Sequence, residues 1–571
     1  MKNTKTHAWE LYEQGRAYNE RLDPDQYSLV NTNIEFFSGN QWLHMPDTAA
    51  MRRLPKPVFN IIKRVASLFV ASLTSSAATI GFEPLAESGP DADAADRATQ
   101  EVKNLLEKFK MDYRIREALF DGAQTGDYCA HFYWDPDAIP YGGSLGEARG
   151  EIAMELVDGI NVMFGDPGDS CVEHQPYILL LGRAPVEQLR EEARFWGGDE
   201  LDVEPDGEYD AMAGQGGQVE LTGEDTGKAL YVYLYTKGKN GTVHVTKATR
   251  TAVIFEDIDT GLSRYPIAWG NWEKQKNQYH GRALVTGIIP NQIFINTMFA
   301  MVMRHLQMMG FPKTIYNADL IGSWSNEVGQ AIGVRGLQPG QPISQVAQNL
   351  QPADMSAQIL TVIDRAVSYT KDCLGATDAQ MGNVSPNNTS ALMVLQSASQ
   401  VPLENTKAGL YEWLEDVGHI LLDMMGTYYG LRPMVRERTV EEPIVEGGIP
   451  QFKEDGTMAL KTVKKRVVEE YDFSRFKDLW LRLRVDVGAA SYFSEVAMTQ
   501  TLDNLRSSGV LDMIQYLERV PDRLIPRKDE LIEELKKTRA AMAPMPSKRS
   551  AKAPKAPGQA QLESLMARAG R

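Results

Sequence analysis

One almost continuously apolar stretch, Asn291–Met309 (NQIFINTMFAMVMRHLQMM), constrains the fold of this chain more than any other segment. Pro290 precedes it, and Gly310 and Pro312 follow it. Proline at a helix start and glycine past its end are the expected boundaries. The stretch therefore predicts a helix of roughly 28 Å. A helix that is apolar all round must be covered on every side, either within one chain or by neighbouring chains.

Composition narrows the class of protein. The chain has 571 residues, of which 43% are hydrophobic and 24% charged, so it is long enough for several globular domains. The three cysteines, Cys129, Cys171 and Cys373, form no CxxC pair, which excludes a disulfide scaffold and a zinc ribbon. Met1–Glu10 is polar and unlike a signal peptide. No membrane association is predicted, because Lys63 and Arg64 interrupt the most membrane-like stretch of the chain.

The order of sequence patterns predicts an α+β fold. In the first 270 residues, helices are expected at Val58–Ser76, Ala94–Lys110 and Tyr113–Ala123, with a loop at Ser88–Asp93. A Gly-, Asp- and Glu-rich stretch, Gly197–Gly227, predicts an exposed acidic loop. The predicted strands are Tyr128–Trp134, Glu151–Val157, Tyr177–Gly182, Ala229–Thr236, Thr242–Thr246 and Ala252–Glu256.

The second half of the chain alternates helices with short β pieces. Short β segments are expected within Phe311–Pro352. The charged stretch Met434–Glu470 predicts a hairpin, and Leu479–Val487 predicts a strand. The tail, Ala543–Arg571, carries six basic residues against one acidic residue and predicts disorder. The predicted helices are Ala353–Leu374, Ala391 to about Tyr429 with a kink at Pro402, Glu495–Ser507, Val510–Arg519 and Lys528–Met542.

Several common catalytic signatures are missing from the sequence. There is no GxxxxGK[ST] phosphate loop, and HExxH and GxGxxG do not occur. His305 is interpreted as a packed core or interface histidine. Asp257 and Asp259 have the spacing of a divalent-cation site, although a turn at a strand end is the favoured interpretation because Gly261 follows. The sequence predicts no enzyme activity, catalytic residue, metal or cofactor.

Several short motifs occur in an order that resembles the portal proteins of tailed bacteriophages, which form the ring through which DNA enters and leaves a capsid. Each motif is short, and their joint order carries the resemblance across roughly residues 30 to 540. The motifs are Phe36–Trp42 (FFSGNQW), Asn60–Ile62, Asn161–Pro167 (NVMFGDP), Tyr279–Gly281 (YHG), Ile289–Gln292, Ile295–Asn296, Asn388–Ser390, Leu505, Ser508–Val510 and Leu517–Pro521.

The resemblance implies a portal-type multidomain fold with a wing, a helical stem, a small β-containing clip and an α-helical crown. A separate terminase ATPase would drive DNA packaging, which agrees with the missing phosphate loop. The implied divisions are a wing at 1–280, stem helices at 281–310 and 353–374, a clip at 311–352, a tunnel loop at 375–388, a long kinked helix and wing β part at 389–490, a crown at 491–542 and a disordered basic tail at 543–571.

The resemblance also assigns roles to particular residues. Clip docking falls to Lys313, Asn317, Asp319 and Arg335, and stem packing between subunits to Ile293, Phe294, Met298, Met301 and Met308. Tunnel-loop contacts with double-stranded DNA fall to Asp378, Gln380, Asn383, Asn387 and Asn388. The implied partners are further copies in a ring, twelve in the virion, the DNA, the terminase large subunit, a head–tail adaptor, and the capsid and scaffold proteins. The implied location is the capsid vertex, after synthesis in the host cytoplasm.

Several alternatives stay open at the level of sequence. A net charge of −16 suits a channel wall that does not grip DNA, and it equally serves solubility. The basic tail can bind DNA or an acidic scaffold protein, or act as a solubilising segment. The chain can instead be another virion structural protein, such as an adaptor or shell protein. From a different class, a metal-dependent glycosyltransferase would use Asp257 and Asp259.

Overall fold

The structure is a computed structural model in which the chain divides into two compact units, Met1–Ala489 and Ala490–Arg571. The residues described are 5–42, 52, 54–74, 78–84, 89–140, 149–205, 227–310, 313–323, 333–337, 339–340, 342, 344, 346–350, 357–374, 403–443, 445–446, 449–450, 460–477, 479, 481–486, 502–508, 511–520, 528, 531–532 and 535.

Helices and strands alternate along the first unit, so the predicted α+β class is confirmed. Its helices are α1 His7–Arg21, α2 Gln26–Ser38, α3 Ile61–Leu73, α4 Gly89–Lys108, α5 Met111–Thr125, α6 Val186–Trp196, α7 Leu284–Gly310, α8 Ala357–Leu374 and α9 Glu404–Tyr428. Its strands are β1 Thr79–Pro84, β2 Asp127–Asp135, β3 Glu151–Val157, β4 Val162–Phe164, β5 Tyr177–Pro185, β6 Lys228–Lys237, β7 Val243–Ala248, β8 Val253–Asp259, β9 Ile267–Asn271, β10 Lys313–Tyr316, β11 Ala347–Leu350, β12 Leu431–Pro443, β13 Val445–Glu446, β14 Ile449–Pro450, β15 Leu460–Asp472 and β16 Leu481–Asp486.

Two antiparallel sheets form the β core of the first unit. One has the strand order β3-β2-β9, and the other has the order β4-β5-β6-β7-β8. Alternation along β6 explains how the second sheet packs: Leu230, Val232 and Leu234 are buried against α1, and the tyrosines between them point to the opposite face. The helices α3, α4, α5 and α9 pack with the first sheet around the largest hydrophobic cluster.

Two-stranded pairings complete the first unit. The hairpin predicted at Met434–Glu470 is confirmed, since β12 and β15 pair antiparallel over 13 residues each. The small β unit predicted after α7 is also present, with β10 antiparallel to β11. β1 pairs with β16, which was not expected because the two strands lie so far apart in sequence.

The prediction of a loop at Ser88–Asp93 is wrong for the residues described, because α4 already begins at Gly89. Proline is tolerated in the first turn of a helix, where its missing N–H would have no partner. Asp93 therefore lies inside the helix, where it accepts a hydrogen bond from Arg97 Nε at 2.7 Å. Arg97 also pairs with Glu469 on β15 at 2.9 Å, and this contact holds the start of α4 against the hairpin.

The boundary predicted at Pro290 is also wrong, since α7 begins at Leu284 and contains this proline. Residues 284–289 are mostly apolar and pack against the main core, which outweighs the backbone hydrogen bond that Pro290 cannot donate. The predicted end at Gly310 is confirmed. The predicted kink at Pro402 lies outside the described residues, and α9 is described from Glu404.

The second unit contains helix α10, Met513–Arg519, and a small cluster formed by Leu502, Tyr516, Leu517, Val520 and Ile532. A capping box starts α10: the Asp512 carboxylate accepts from the backbone N–H of Met513 at 2.8 Å, and the Gln515 side chain accepts from the Asp512 N–H. Residues 502–507 are also helical, within the predicted helix Glu495–Ser507. The predicted basic tail at 543–571 lies outside the described residues.

Trp413 on α9 gives a test of the main core. Its side chain is fully buried, its ring meets Tyr128 edge-on at 5.7 Å, and Nε1 donates to the carbonyl of Ala268 at 3.1 Å. Trp413→Ala is expected to lower the free energy of unfolding by about 3–5 kcal/mol, because it opens a large cavity. Guanidinium denaturation followed by far-UV circular dichroism measures the change.

The control is Tyr113→Ala, which removes an aromatic ring that is 59% exposed. That variant is expected to stay within about 0.5 kcal/mol of the parent. Equal losses of unfolding free energy in the two variants would contradict the conclusion that Trp413 stabilises the core.

Candidate functional site

A buried polar cluster fixes the start of α7. The Asp127 carboxylate accepts three hydrogen bonds, from the backbone N–H of Gly281 at 2.6 Å, from Asn271 Nδ2 at 2.7 Å and from His280 Nδ1 at 2.6 Å. Asp127 and His280 are 1% and 2% exposed, so the pair is held away from water. We call Asn19, Asp127, Asn271, Tyr279 and His280 the anchor cluster.

The rest of the anchor cluster ties this junction to the N-terminal helices. His280 Nε2 lies within hydrogen-bond distance of the Asn19 side-chain amide on α1, at 3.1 Å, and the Tyr279 hydroxyl lies 3.3 Å from the same amide. Burial raises the pKa of Tyr279 well above its ordinary value, so its phenol remains a donor. Gly126 permits the close approach, because a side chain there would collide with the carbonyl oxygen of Gly281.

A second set of buried amides secures the first half of α7. Asn296 Nδ2 donates to Gln41 Oε1 at 2.7 Å, and Gln292 Nε2 donates to Asn296 Oδ1 at 2.9 Å. Gln292 also exchanges hydrogen bonds with the backbone near α3, donating to the Phe59 carbonyl and accepting from the Ile61 N–H. Since Gln41, Gln292 and Asn296 are all fully buried, this half of the helix belongs to the interior of its own chain.

One face of α7 is different, because its apolar side chains are almost half exposed from Phe294 onward. Phe294, Met301 and Met308 are 46%, 48% and 47% exposed. A spacing of seven residues places them on one face of the helix. We call these three residues the α7 stripe. Further exposed apolar residues of α7 and α8 are Met303, Leu306, Met309, Leu360, Val362 and Tyr369.

Burial of the whole helix within a single chain, one of the two sequence alternatives, is therefore wrong for the second half of α7. Of the other two residues predicted to pack between subunits, Ile293 packs partly against the core of its own chain, and Met298 is half-buried. His305 is also half-buried, and its Nε2 has no hydrogen-bond partner among the described residues. Within one chain, α7 contacts α8.

α7 is also the one helix in the described part of the chain that is long and apolar enough to cross a membrane, with a mean hydropathy of 1.3 in its best window. Length and composition alone are weak evidence for a membrane span, since core helices share them. Here 39% of that window is buried within the chain, and its first half holds the fully buried amides of Gln292 and Asn296. These contacts favour a protein environment for the first half of the helix.

The small β unit after α7 brings together three of the four residues predicted to dock partners. Asn317 Oδ1 accepts from the backbone N–H of Asp319 at 2.9 Å, and the backbone N–H of Arg335 donates to the carbonyl of Leu320 at 3.1 Å. Asn317, Asp319 and Arg335 are exposed. Lys313 pairs with Leu350 through the backbone, at the end of β10 nearest α7. The unit thus displays exposed polar groups at the end of an apolar helix.

The predicted DNA-contacting residues, Asp378, Gln380, Asn383, Asn387 and Asn388, lie outside the described residues. Most of the acidic stretch Gly197–Gly227 lies outside them as well. Within that stretch, the described part contains a short 3₁₀ helix at Glu200–Asp202.

Asp257 and Asp259 occupy the irregular end of β8, where Asp257 has a positive φ of 49°. Asp257 Oδ1 accepts from His244 Nδ1 at 2.8 Å, and Asp259 Oδ1 accepts from the backbone N–H of Gly261 at 2.8 Å. These bonds match the predicted strand-end turn. Among the residues that the structure describes, no group of three or more His, Cys, Asp or Glu side chains is placed to hold a metal ion.

Sequence reasoning missed the anchor cluster. Tyr279 and His280 were noted only as part of a motif, and Asn19, Asp127 and Asn271 carried no local signal. Asp127 lies directly after Gly126 at a helix end, which predicts an ordinary turn. Its role arises from contacts with residues more than 140 positions away, and one sequence does not reveal such pairings.

The fold and this site combine a well-anchored helix, α7, with an exposed apolar stripe. The Phage P22-like portal protein family model matches residues 198–442, somewhat less than half of the chain. That match confirms the resemblance to the portal proteins of tailed bacteriophages, which are virion components with a structural role. The matched region includes the Tyr279–Gly281 junction, α7, the small β unit and α8. No curated protein matches the chain.

The Asp127 carboxylate provides a test of the anchor cluster. Asp127→Asn replaces an acceptor with a donor toward His280 or Asn271, and a buried donor then lacks a partner. We expect the free energy of unfolding to fall by about 2–4 kcal/mol. Hydrogen exchange near Leu284 should accelerate, because the start of α7 loses its fixed neighbours. Thermal unfolding and hydrogen-exchange mass spectrometry measure the two effects.

Asp137→Asn is the matched control, since Asp137 is exposed in the turn after β2. It should leave both quantities unchanged. If Asp127→Asn behaves like this control, the anchor cluster does not hold the helix.

Proposed function

We propose that the chain forms a ring of about twelve copies at one capsid vertex, which serves as the channel for packaging and ejecting double-stranded DNA. The observation that carries this proposal is the exposed stripe of α7 beside its firmly anchored first half. Three large apolar side chains in a row, each almost half exposed, are costly in water. In a ring, each stripe would lie against helices α7 and α8 of a neighbouring copy.

The division of α7 into two halves supports assembly through this helix. Buried amides and the anchor cluster fix the first half, so the exposed second half is presented in a defined direction. A preorganised surface loses less entropy on association than a mobile one. Methionine side chains on that surface tolerate small shifts in packing, which would suit a stem that adjusts during packaging.

The net charge of the chain is consistent with a channel that lets DNA pass without binding it tightly. Contacts of Lys and Arg with phosphates release counterions and strengthen binding to DNA. The net charge of −16 works against such binding over the protein as a whole. In this proposal the polar segment 375–388 offers weak contacts to the moving DNA through Asp378, Gln380, Asn383, Asn387 and Asn388.

In the same proposal, the small β unit at the end of α7 docks the terminase large subunit and later the head–tail adaptor. Lys313, Asn317, Asp319 and Arg335 are the proposed contacts. The two strands themselves are short, and the exposed side chains at their far end include both charge signs. Capsid and scaffold proteins would meet other surfaces of the ring.

Met301→Glu tests ring formation. A carboxylate in an apolar contact between subunits is costly to bury, so the variant should remain a folded single chain. The parent should form particles near twelve times 63.6 kDa with a central hole. Light scattering after size-exclusion chromatography and negative-stain microscopy distinguish the two states.

Leu201→Glu serves as the control, because Leu201 is 89% exposed and lies outside the α7 stripe. This variant should form rings as the parent does. Rings that persist in Met301→Glu would refute assembly through α7, and a parent protein that stays single would refute the ring itself.

The double charge reversal Asp319→Lys with Arg335→Glu tests docking. Rings should form normally, and affinity for the terminase large subunit should fall about tenfold, because electrostatic complementarity at a docking face is inverted. Biolayer interferometry with immobilised rings measures the affinity. Lys239→Glu, in an exposed turn between β6 and β7, should bind terminase as the parent does. Unchanged binding by the double variant would place the docking surface elsewhere.

A further inference from the structure

A separate cavity of about 490 Å³ lies between the two sheets of the first unit, away from α7. Its floor is the tyrosine face of β6, where Tyr231, Tyr233 and Tyr235 alternate with the aliphatic residues that pack against α1. The volume falls in the range of known ligand sites. The other walls are lined by residues of β2, β3, α6, β8 and α9, including His131, Tyr133, Glu155, Glu192, Trp196, Phe255 and Tyr428.

The aromatic walls already hold one cation of the protein itself. The Lys247 ammonium lies 4.4 Å from the ring centroid of Tyr231 and 5.0 Å from that of Tyr233. Lys247 is 3% exposed and forms an ion pair with Glu192. These contacts are cation–π interactions in a partly desolvated setting, where such attraction is strongest. The surroundings therefore favour positive charge.

Negative charge in the cavity exceeds what Lys247 neutralises. Glu155 and Glu192 line it, and the Glu155 side chain is half exposed. Asp259 also lines it, but its carboxylate is exposed and accepts a hydrogen bond from the Gly261 N–H. Burial raises the pKa of Tyr231 and of Tyr428 to about 12, so these phenols stay neutral and do not alter the balance. Since Glu192 is paired with Lys247, Glu155 is the carboxylate of this cavity that the Lys247 ammonium leaves unpaired.

Glu155 is held in place by one hydrogen bond, and its second carboxylate oxygen is still able to accept others. His131 Nδ1 donates to Glu155 Oε1 at 2.9 Å, and His131 Nε2 accepts from the Tyr235 hydroxyl at 2.8 Å. The second oxygen, Oε2, has no hydrogen bond among the described residues. Tyr133, 41% exposed, and Trp196, 53% exposed, present large aromatic surfaces beside the same opening.

We propose that this cavity binds an arginine side chain of a partner protein, with the guanidinium stacked on the exposed aromatic rings and paired with Glu155. Arginine suits this combination, because its planar cation stacks on aromatic faces and its N–H groups bond to a carboxylate. The proposal is independent of ring formation and of the residues assigned to docking terminase.

The test uses isothermal titration calorimetry on the full chain with the peptide acetyl-Ala-Arg-Ala-amide. The same peptide with citrulline in place of arginine is the matched ligand, because it keeps the shape and loses the charge. The arginine peptide should bind, and the citrulline peptide should bind at least about tenfold more weakly. Quenching of tryptophan fluorescence gives a second readout through Trp196.

Two variants examine the cavity walls separately. Glu155→Gln retains an acceptor for His131 and removes the charge, and Tyr133→Leu removes an aromatic face that is already largely exposed. Each should weaken binding of the arginine peptide about fivefold. Glu187→Gln is the control, since this residue lies on α6 like Glu192 and is 83% exposed outside the cavity.

The proposal is overturned if the arginine peptide does not bind at millimolar concentrations, or if the citrulline peptide binds equally well. It is also overturned if both variants bind like the control. Circular dichroism of each variant confirms that its fold is intact, and loss of binding in both folded variants supports the site.

Discussion

The carboxylate of Asp127 is the contact on which the arrangement of the first unit depends. It accepts hydrogen bonds from a strand residue, Asn271, and from two consecutive residues at the junction before α7. With Asn19 joining from α1, three distant parts of the chain meet around one buried carboxylate. A buried carboxylate tolerates few other arrangements, because each lost hydrogen bond exposes an uncompensated charge to a low-dielectric interior. The direction of α7, which is about 40 Å long, is set at this point.

That helix performs two tasks along its length. Gln292 and Asn296 bind the first half to Gln41 and to the segment before α3, so it is part of the interior. One face, from Phe294 to near the end of the helix, carries the stripe of Phe294, Met301 and Met308, whose side chains are almost half exposed in the single chain. Such a helix combines local order with an exposed apolar surface. The match to the P22-like portal family covers the whole of α7, so this exposed surface lies within the region that resembles portal proteins.

Local patterns in the sequence predicted local structure well. The strand predicted at Ala229–Thr236 and the charged hairpin predicted at Met434–Glu470 are confirmed, since a period of two is set by residues a few positions apart. Pro90 and Pro290 misled the prediction of helix starts. Pro90 lies in the first turn of α4, where a missing N–H has no partner, and at Pro290 the packing of neighbouring residues outweighed the missing donor. The anchor cluster, the β1–β16 pair and the tyrosine-lined cavity join residues far apart in sequence. These three features can be recognised only once the three-dimensional structure shows which residues meet.

The pairing of β1 with β16 has a consequence for biosynthesis. Glu83 and Arg484, which form an ion pair across these strands, are 401 positions apart. A ribosome releases the N-terminal partner long before the C-terminal one exists, so β1 waits with an unpaired edge through most of translation. Truncated products can never close this sheet. Completion of the first unit therefore has to wait until translation has passed β16.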